Sequence, residues 1–394
     1  MTADSTVILA FARTPMGGFQ GSLSGASATR LGAAAVRGAV ARAGVDPAAV
    51  ERCYMGCVLP AGLGQAPARQ AARGAGLPDH VEATTINKMC GSGMKAAMMA
   101  ADAIAAGSAG LIVAGGMESM SNAPYLMLKH RAGARIGHDS IYDHMMLDGL
   151  EDAYEPGKAM GVFAEATVRE YGFTREAQDA YAIESLERAR RAQASGWFES
   201  EIVPVEIAGR KGVDIVAQDE QPLKADPAKI PGLRPAFLKD GTITAANASS
   251  ISDGAAALVL AGASWAQAHG ARPVARIVAH TAHARLPAQF TTAPIGAIGK
   301  LLAKTGWSVA DIDLFEINEA FACVTMAAMH DLAIPHAKVN IHGGATALGH
   351  PVGASGARIV ATLLSALART GGRRGVAALC IGGGEATAMA VELL

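Results

Sequence analysis

Charge is scarce in this chain and almost balanced. Only 18% of its 394 residues are Asp, Glu, Lys or Arg, and 34 basic residues nearly offset 35 acidic ones. With a net charge of −1 there is no electrostatic case for binding nucleic acid or an anionic membrane. Cysteine is sparse too. The five, at positions 53, 57, 90, 323 and 380, are an odd number, which argues against a disulfide framework and for a reducing cytosol. Cys53 and Cys57 share one face of a predicted strand at a C-x-x-x-C spacing that is not the usual zinc or redox one, so core packing is their expected role. Long hydrophobic runs are also missing. Val7 to Ala12 is only six apolar residues before Arg13, with no basic segment ahead of it, too little for a signal peptide. Ala96 to Met117 carries the single charge Asp102 but is mostly Ala and Gly and breaks at Gly107, too weak for a membrane span. A soluble cytoplasmic protein is expected.

What remains is apolar residue and glycine. Hydrophobic residues make up 51% of the chain and glycines number 46, which describes a globular protein with a sizeable core. The length suits two or three domains or one composite core. Val7 to Phe11, Arg52 to Leu59, Val81 to Ile86 and Leu111 to Gly115 read as strands. They alternate with helices at about Ala28 to Ala43, Ala66 to Gly74 and a run after Gly91, a β-α-β order that predicts a mainly parallel sheet. From Asn122 to about Ala245 charge, aromatics, Pro and Gly rise, and the stretch reads as an insertion of surface loops. It holds one clear helix, Arg175 to Ala194 with Thr174 as N-cap, and a basic patch from Lys129 to Arg135 and His138. The α/β pattern then returns. Strands are predicted at Val274–Ala279, Asp313–Ile317, Val339–Ile341, Gly375–Ile381 and Ala386–Leu393, and helices at Pro294–Thr305, Ala320–Met329 and Gly356–Arg369.

The two α/β stretches look like copies. Gly91-Ser92-Gly93-Met94-Lys95 matches Ala354-Ser355-Gly356-Ala357-Arg358, and each opens an apolar helix rich in small residues. Gly115-Gly116-Met117-Glu118 matches Gly382-Gly383-Gly384-Glu385 in the same way. Such a duplication implies two similar sheets about a pseudo-twofold axis, with both repeated helices between them in a five-layer α-β-α-β-α sandwich. The expected boundaries are 1–121 for the first half, completed by about 246–270, then 122–245 for the insertion and 271–394 for the second half.

Cys90 sits at a strand-to-helix junction, where free backbone N–H groups at the positive helix end should lower its pKa and favour a thiolate. Buried filler is the commoner fate of a cysteine. Duplication, however, could bring Cys90 to the loop before the second repeated helix, which holds His350, and to Cys380 before the glycine triplet. At this point five blocks carry a resemblance: Asn87 to Gly93, Gly115 to Ser121, Asn318 to Ala322, Gly343 through His350-Pro351 to Arg358, and Cys380 to Gly384. Along its full length the chain resembles the thiolases, closest to the acetyl-CoA acetyltransferase group.

The resemblance implies a reversible Claisen condensation of two acetyl-CoA to acetoacetyl-CoA and CoA, with no cofactor or metal beyond the CoA thioesters. Cys90 would carry the acetyl group, His350 would activate Cys90 and help bind the thioester oxygen, and Cys380 would move the α-proton. Asn318 would hold a water beside the histidine, its structural alternative being the N-cap of a helix from Glu319. The N–H groups of Cys90 and Gly382 would form an oxyanion hole, where glycine allows close approach. Ser249 would touch the pantetheine arm, and Met160 and Phe321 would shape the acyl pocket. The insertion would carry CoA and oligomer contacts. A homotetramer, a dimer of dimers, is expected, with a dimer as fallback. Three departures stand out: Ala159 where a histidine is frequent, Ser250 where glycine is common, and Glu385-Ala386 in place of an apolar residue and glycine. A degradative 3-ketoacyl-CoA thiolase of broader chain length is the main alternative. A non-catalytic acyl-CoA binder of the same fold should have lost one of the three catalytic residues, and a nucleotide-dependent dehydrogenase would need a helix after Gly384 that the sequence lacks.

Overall fold

The computed structural model describes residues 4–209 and 212–394. The first half contributes β1 (Thr6–Arg13), α1 (Ala28–Ala43), β2 (Arg52–Gly56), α2 (Pro67–Gly74), β3 (Glu82–Ile86), α3 (Ser92–Ala105) and β4 (Leu111–Ser119). Between β4 and its hydrogen-bonded neighbour β5 (Ser252–Gly262) lie α4 (Met160–Tyr171) and α5 (Arg175–Ala194). The second half follows as β6 (Ala275–Ala284), α6 (Ala293–Thr305), β7 (Leu314–Ile317), α7 (Ala322–Leu332), α8 (Val352–Thr370), β8 (Arg374–Ile381) and β9 (Glu385–Leu393). Several ends were legible in local chemistry. Gly44 closes α1 in the left-handed conformation at φ 64°, and the Thr174 hydroxyl caps α5 by accepting from the Ala177 N–H.

The strands run in the order β3-β2-β4-β5-β1-β6-β9-β8-β7. Outward from the centre, β1-β5-β4-β2 and β6-β9-β8-β7 follow the same plan, as the duplication predicts. The halves meet through Val7 opposite Arg276 and Ile8 opposite Ala275, so the two sheets are joined edge to edge. The sheet is mixed rather than mainly parallel. Pairs β2-β3, β2-β4 and β7-β8 are parallel, whereas β4-β5, β1-β5, β6-β9 and β8-β9 are antiparallel. A glycine turn joins β8 directly to β9 with no crossover helix, and that forces the reversal. The predicted strand at 339–341 is a single bridge between Phe315 and Val339.

Both repeated helices lie in the middle. α3 and α8 pack on each other and touch strands of both halves, while α1 and α2 cover one outer face and α6 and α7 the other. Every residue of α8 from Val352 to Leu367 is buried. The crossing requires glycine: a Cβ on Gly356 would stand 2.4 Å from the Met94 nitrogen, and one on Gly93 would stand 2.8 Å from the Ala357 nitrogen. No helix among the described residues is long and apolar enough to cross a membrane.

Two buried polar hubs tie the layers together. Arg13, at the end of β1, holds Glu201 at 2.7 Å and grips Asp219 with two hydrogen bonds of 2.7 and 2.9 Å, so the segment between β4 and β5 is anchored to the sheet. Glu118, near the end of β4, accepts from the N–H groups of Val58 at 2.9 Å, Leu59 at 3.1 Å and Gly353 at 2.9 Å. Burial pushes its carboxyl up to about 7, against the pull of those donors. Cys53 and Cys57 are both buried, and the Cys57 thiol donates to Glu118.

Candidate active site

The chain leaves β3 through a tight turn that presents Cys90. Met89 takes a left-handed φ of 46°, which costs a side-chain-bearing residue energy and is held by its surroundings. Its N–H donates to Asn87 Oδ1 at 3.0 Å, and the buried Ser92 hydroxyl accepts from Lys88 N–H and donates to the Met89 carbonyl. Cys90 is only partly buried at the surface of this turn, yet its thiol is pushed up to about 11 by desolvation. The N–H groups of Gly382 and of Cys90 itself pull it the other way. The expected low pKa is therefore corrected: the apolar surroundings outweigh the helix end, and the sulfur rests as a thiol.

The candidate base stands in a second loop. His350, in the loop before α8, has its Nδ1 2.6 Å from the Ser355 hydroxyl, and that hydroxyl donates to the Pro351 carbonyl at 2.9 Å. A hydroxyl has one hydrogen, so with it on Pro351 the ring must donate from Nδ1, which leaves Nε2 with its lone pair. Nε2 is buried and has no hydrogen-bond partner among the described residues. Burial, then the Arg358 guanidinium, holds the imidazole down at about 3, so it rests neutral. Should the Ser355 hydroxyl turn and donate to Nδ1, Nε2 would carry the hydrogen instead. One ring can thus take a proton at one stage and donate a hydrogen bond at another.

Cys90, His350, Cys380 and Gly382 line one cavity of about 400 Å³. Cys380, near the end of β8, is fully enclosed, and burial followed by the nearby Cys90 sulfur drives its thiol well above the ordinary range. Ser249, Met160, Phe321 and Ala159 also face the cavity. Phe321 meets Phe237 edge to face at 5.8 Å and Phe290 at 6.4 Å, which makes one wall aromatic. Asn318 does not line the cavity. It is buried behind His350, its Nδ2 3.5 Å from His350 Nδ1 and its Oδ1 accepting from the buried Arg358 at 3.3 Å. Nor does it cap a helix, because α7 begins at Ala322 with Phe321 at the cap. Glycine is not demanded at Gly382 by contact, since a Cβ there would meet nothing closer than 3.8 Å. The positions that need it are Gly383 and Gly384, at φ 91° and 89°.

Ser355, Arg358, Phe237, Phe290, Met146 and Leu150 also shape the site. Ser355 and Arg358 stand in the repeated pentad, which flagged them as helix openers only. Met146 and Leu150 lie in one π-helical turn, Phe290 in a short 3-10 helix and Phe237 in a loop, where no periodicity marks a wall.

Family models for the N-terminal and C-terminal domains of thiolase match residues 6–264 and 271–393. The chain belongs to the thiolase family. It is 52% identical over 390 residues to acetyl-CoA acetyltransferase 2 of Arabidopsis thaliana, covering 98% of this chain and 96% of that one. It is 49% identical to the acetyl-CoA acetyltransferase of Escherichia coli (strain K12), covering 98% of this chain and 99% of that one. Among solved structures, Acat5 thiolase from Ascaris suum in complex with coenzyme A superposes with a TM-score of 0.93 at 43% identity, covering 99% of this thiolase and 100% of the other chain.

Proposed function

We propose that this thiolase is an acetyl-CoA C-acetyltransferase that condenses two acetyl-CoA molecules into acetoacetyl-CoA and CoA, reversibly, through an acetyl group carried on Cys90. The observation that carries the reading is that two cysteines and a neutral histidine, whose Nε2 has no partner among the described residues, line one cavity. The acetyl-CoA acetyltransferase relatives support the substrate.

In the first half-reaction His350 Nε2 takes the Cys90 proton as the sulfur bonds to the acetyl carbonyl carbon. The oxyanion meets the N–H groups of Cys90 and Gly382, the bond to the CoA sulfur breaks, and the departing thiolate takes the proton from His350. Because the resting pair is neutral, transfer and attack must proceed together, with the N–H groups receiving charge as it develops. In the second half-reaction the Cys380 thiol gives its proton to His350 Nε2, and the resulting thiolate takes an α-proton from a second acetyl-CoA. The enolate oxygen is held by His350 with Nε2 carrying the hydrogen, and Asn318 supports this from behind through the ring. Carbon bonds to carbon, the Cys90 thioester breaks, and the Cys90 thiolate takes the proton from His350, while Cys380 keeps the α-proton, so all three groups return to their neutral state. Thiols, imidazole and amides supply every step, so the proposed reaction draws on no resident cofactor.

In this reading 1–121 and 271–394 are the two catalytic halves, with 246–270 completing the first. The inserted 122–245 segment brings Met146, Leu150, Met160 and Phe237 to the cavity and would hold Ser249's partner, the pantetheine arm, against it. The enzyme is placed in the cytoplasm as a homotetramer.

Acetyl-CoA alone should acetylate Cys90, read by peptide mass spectrometry after acid quench. Cys380→Ser should keep that acetylation and lose condensation. Acetylation elsewhere, or equal loss of both half-reactions in Cys380→Ser, overturns the assignment.

A further inference from the structure

Two turns meet at the Cys90 sulfur. One runs from Lys88 to Gly91, and the other is Gly382–Gly384, whose first residue lines the same cavity as Cys90. They are nearly three hundred positions apart in the chain, so only tertiary contacts keep them in register. Two such contacts exist. Ile381 packs so closely on the first turn that a Cβ at Gly91 would stand 2.4 Å from its Cδ1. Across the same seam the Lys88 ammonium forms an ion pair with the Glu385 carboxylate.

Both ends of that pair are rigidly mounted. Lys88 N–H donates to Ser92 Oγ at 2.8 Å, and its carbonyl accepts from Gly91 N–H at 3.0 Å, so its backbone belongs to the nucleophile turn. Glu385 opens β9, where it pairs with Ile381 on one side and Ala284 on the other, and thus marks the end of the glycine turn. The side chains are 23% and 37% exposed, so solvent screens the pair only in part. Hydrogen bonding from Gly382 to sulfur depends steeply on distance and angle, and a small slip between the turns would weaken it.

We propose that the Lys88–Glu385 ion pair is a positioning clamp, docking the nucleophile turn on the glycine turn and so setting the aim of the Gly382 N–H at Cys90. The proposal rests on Cys90 as nucleophile and Gly382 as its donor. At Glu385 it makes a prediction opposite to the simple charge effect, which makes Glu385→Gln the deciding variant. Through space, the Glu385 carboxylate disfavours a thiolate, so its removal alone would make Cys90 easier to deprotonate. Removing a clamp makes it harder, because the N–H loses its aim.

The test is the rate of Cys90 alkylation by iodoacetamide as a function of pH, in the wild type, Glu385→Gln, Lys88→Met and the swapped double variant Lys88→Glu/Glu385→Lys. Each single variant should react about two- to fivefold more slowly at a fixed pH, the scale of a partly exposed ion pair. The swap should recover most of that rate, and turnover should follow with little change in KM. Thermal midpoints measured alongside identify a plain folding defect. Unchanged or faster alkylation in Glu385→Gln overturns the clamp, as does a lowered midpoint with an unmoved pH profile. Turnover that survives Cys90→Ala would instead refute the nucleophile assignment, while the alkylation comparison would still decide the clamp.

Discussion

At the scale of single residues the site is governed by who holds the hydrogen. Ser355 is the clearest case, because its one hydroxyl decides which nitrogen of His350 carries the hydrogen. Ser355→Ala leaves a buried ring nitrogen without its partner, a loss on the order of 1–3 kcal/mol. Turnover should fall about tenfold to a hundredfold, with KM changing little and the far-UV spectrum unchanged. Steady-state kinetics check this, and wild-type kcat in Ser355→Ala would show that the tautomer is set elsewhere. The candidate site residues Cys90, His350 and Cys380 are legible in the sequence because they stand beside glycine turns and in blocks that resemble the thiolases. Ser355 is not, since a serine at a helix start reads as a cap. The Cys90 thiol departs from the sequence expectation for a related reason: a helix end is visible in the sequence, and the packing of Cys90 against Val58, Leu59, Met120 and Val352 is not.

Among the elements, the crossing of α3 and α8 decides where Cys90 and His350 stand, since each precedes one of these helices. Gly356→Val would force a side chain toward the backbone of Met94. Overpacking of this kind costs about 1–3 kcal/mol. Since both catalytic loops ride on the crossing, activity should fall further than stability does. Gly299 in α6 provides the contrast, as a Cβ there would meet nothing within 4 Å. Gly299→Ala should stabilise by about 0.5–1 kcal/mol through helix propensity alone. Thermal unfolding of both variants checks the signs, and equal shifts in the same direction would reject the crossing argument.

For the whole molecule the open question is what covers its exposed apolar surface. Met127, Leu128, Ile136 and Ile141 all lie more than half exposed in one segment beside the basic residues 129–135. At one end of the sheet, β3 has no further strand beside it. Unpaired edges and apolar projections both favour self-association. Light scattering should report a homotetramer. Met127→Ser, Leu128→Ser and Ile136→Ser combined should yield a dimer that retains turnover, and a stable monomer of the wild type at micromolar concentration would reject both assemblies.

The sequence by itself determined the duplication, the central helices and the candidate residues that the fold brings to one cavity. Each is written locally, in glycine spacing, helix caps and runs of small apolar residues whose meaning does not depend on distant parts of the chain. Only the tertiary structure decided the mixed sheet, the neutral resting state of Cys90 and His350, the place of Asn318 behind the ring rather than at the cavity, and the pairing of Lys88 with Glu385. Those depend on desolvation and on which surfaces meet across hundreds of residues. Burial and long-range contact are properties of the packed chain, and no local pattern encodes them.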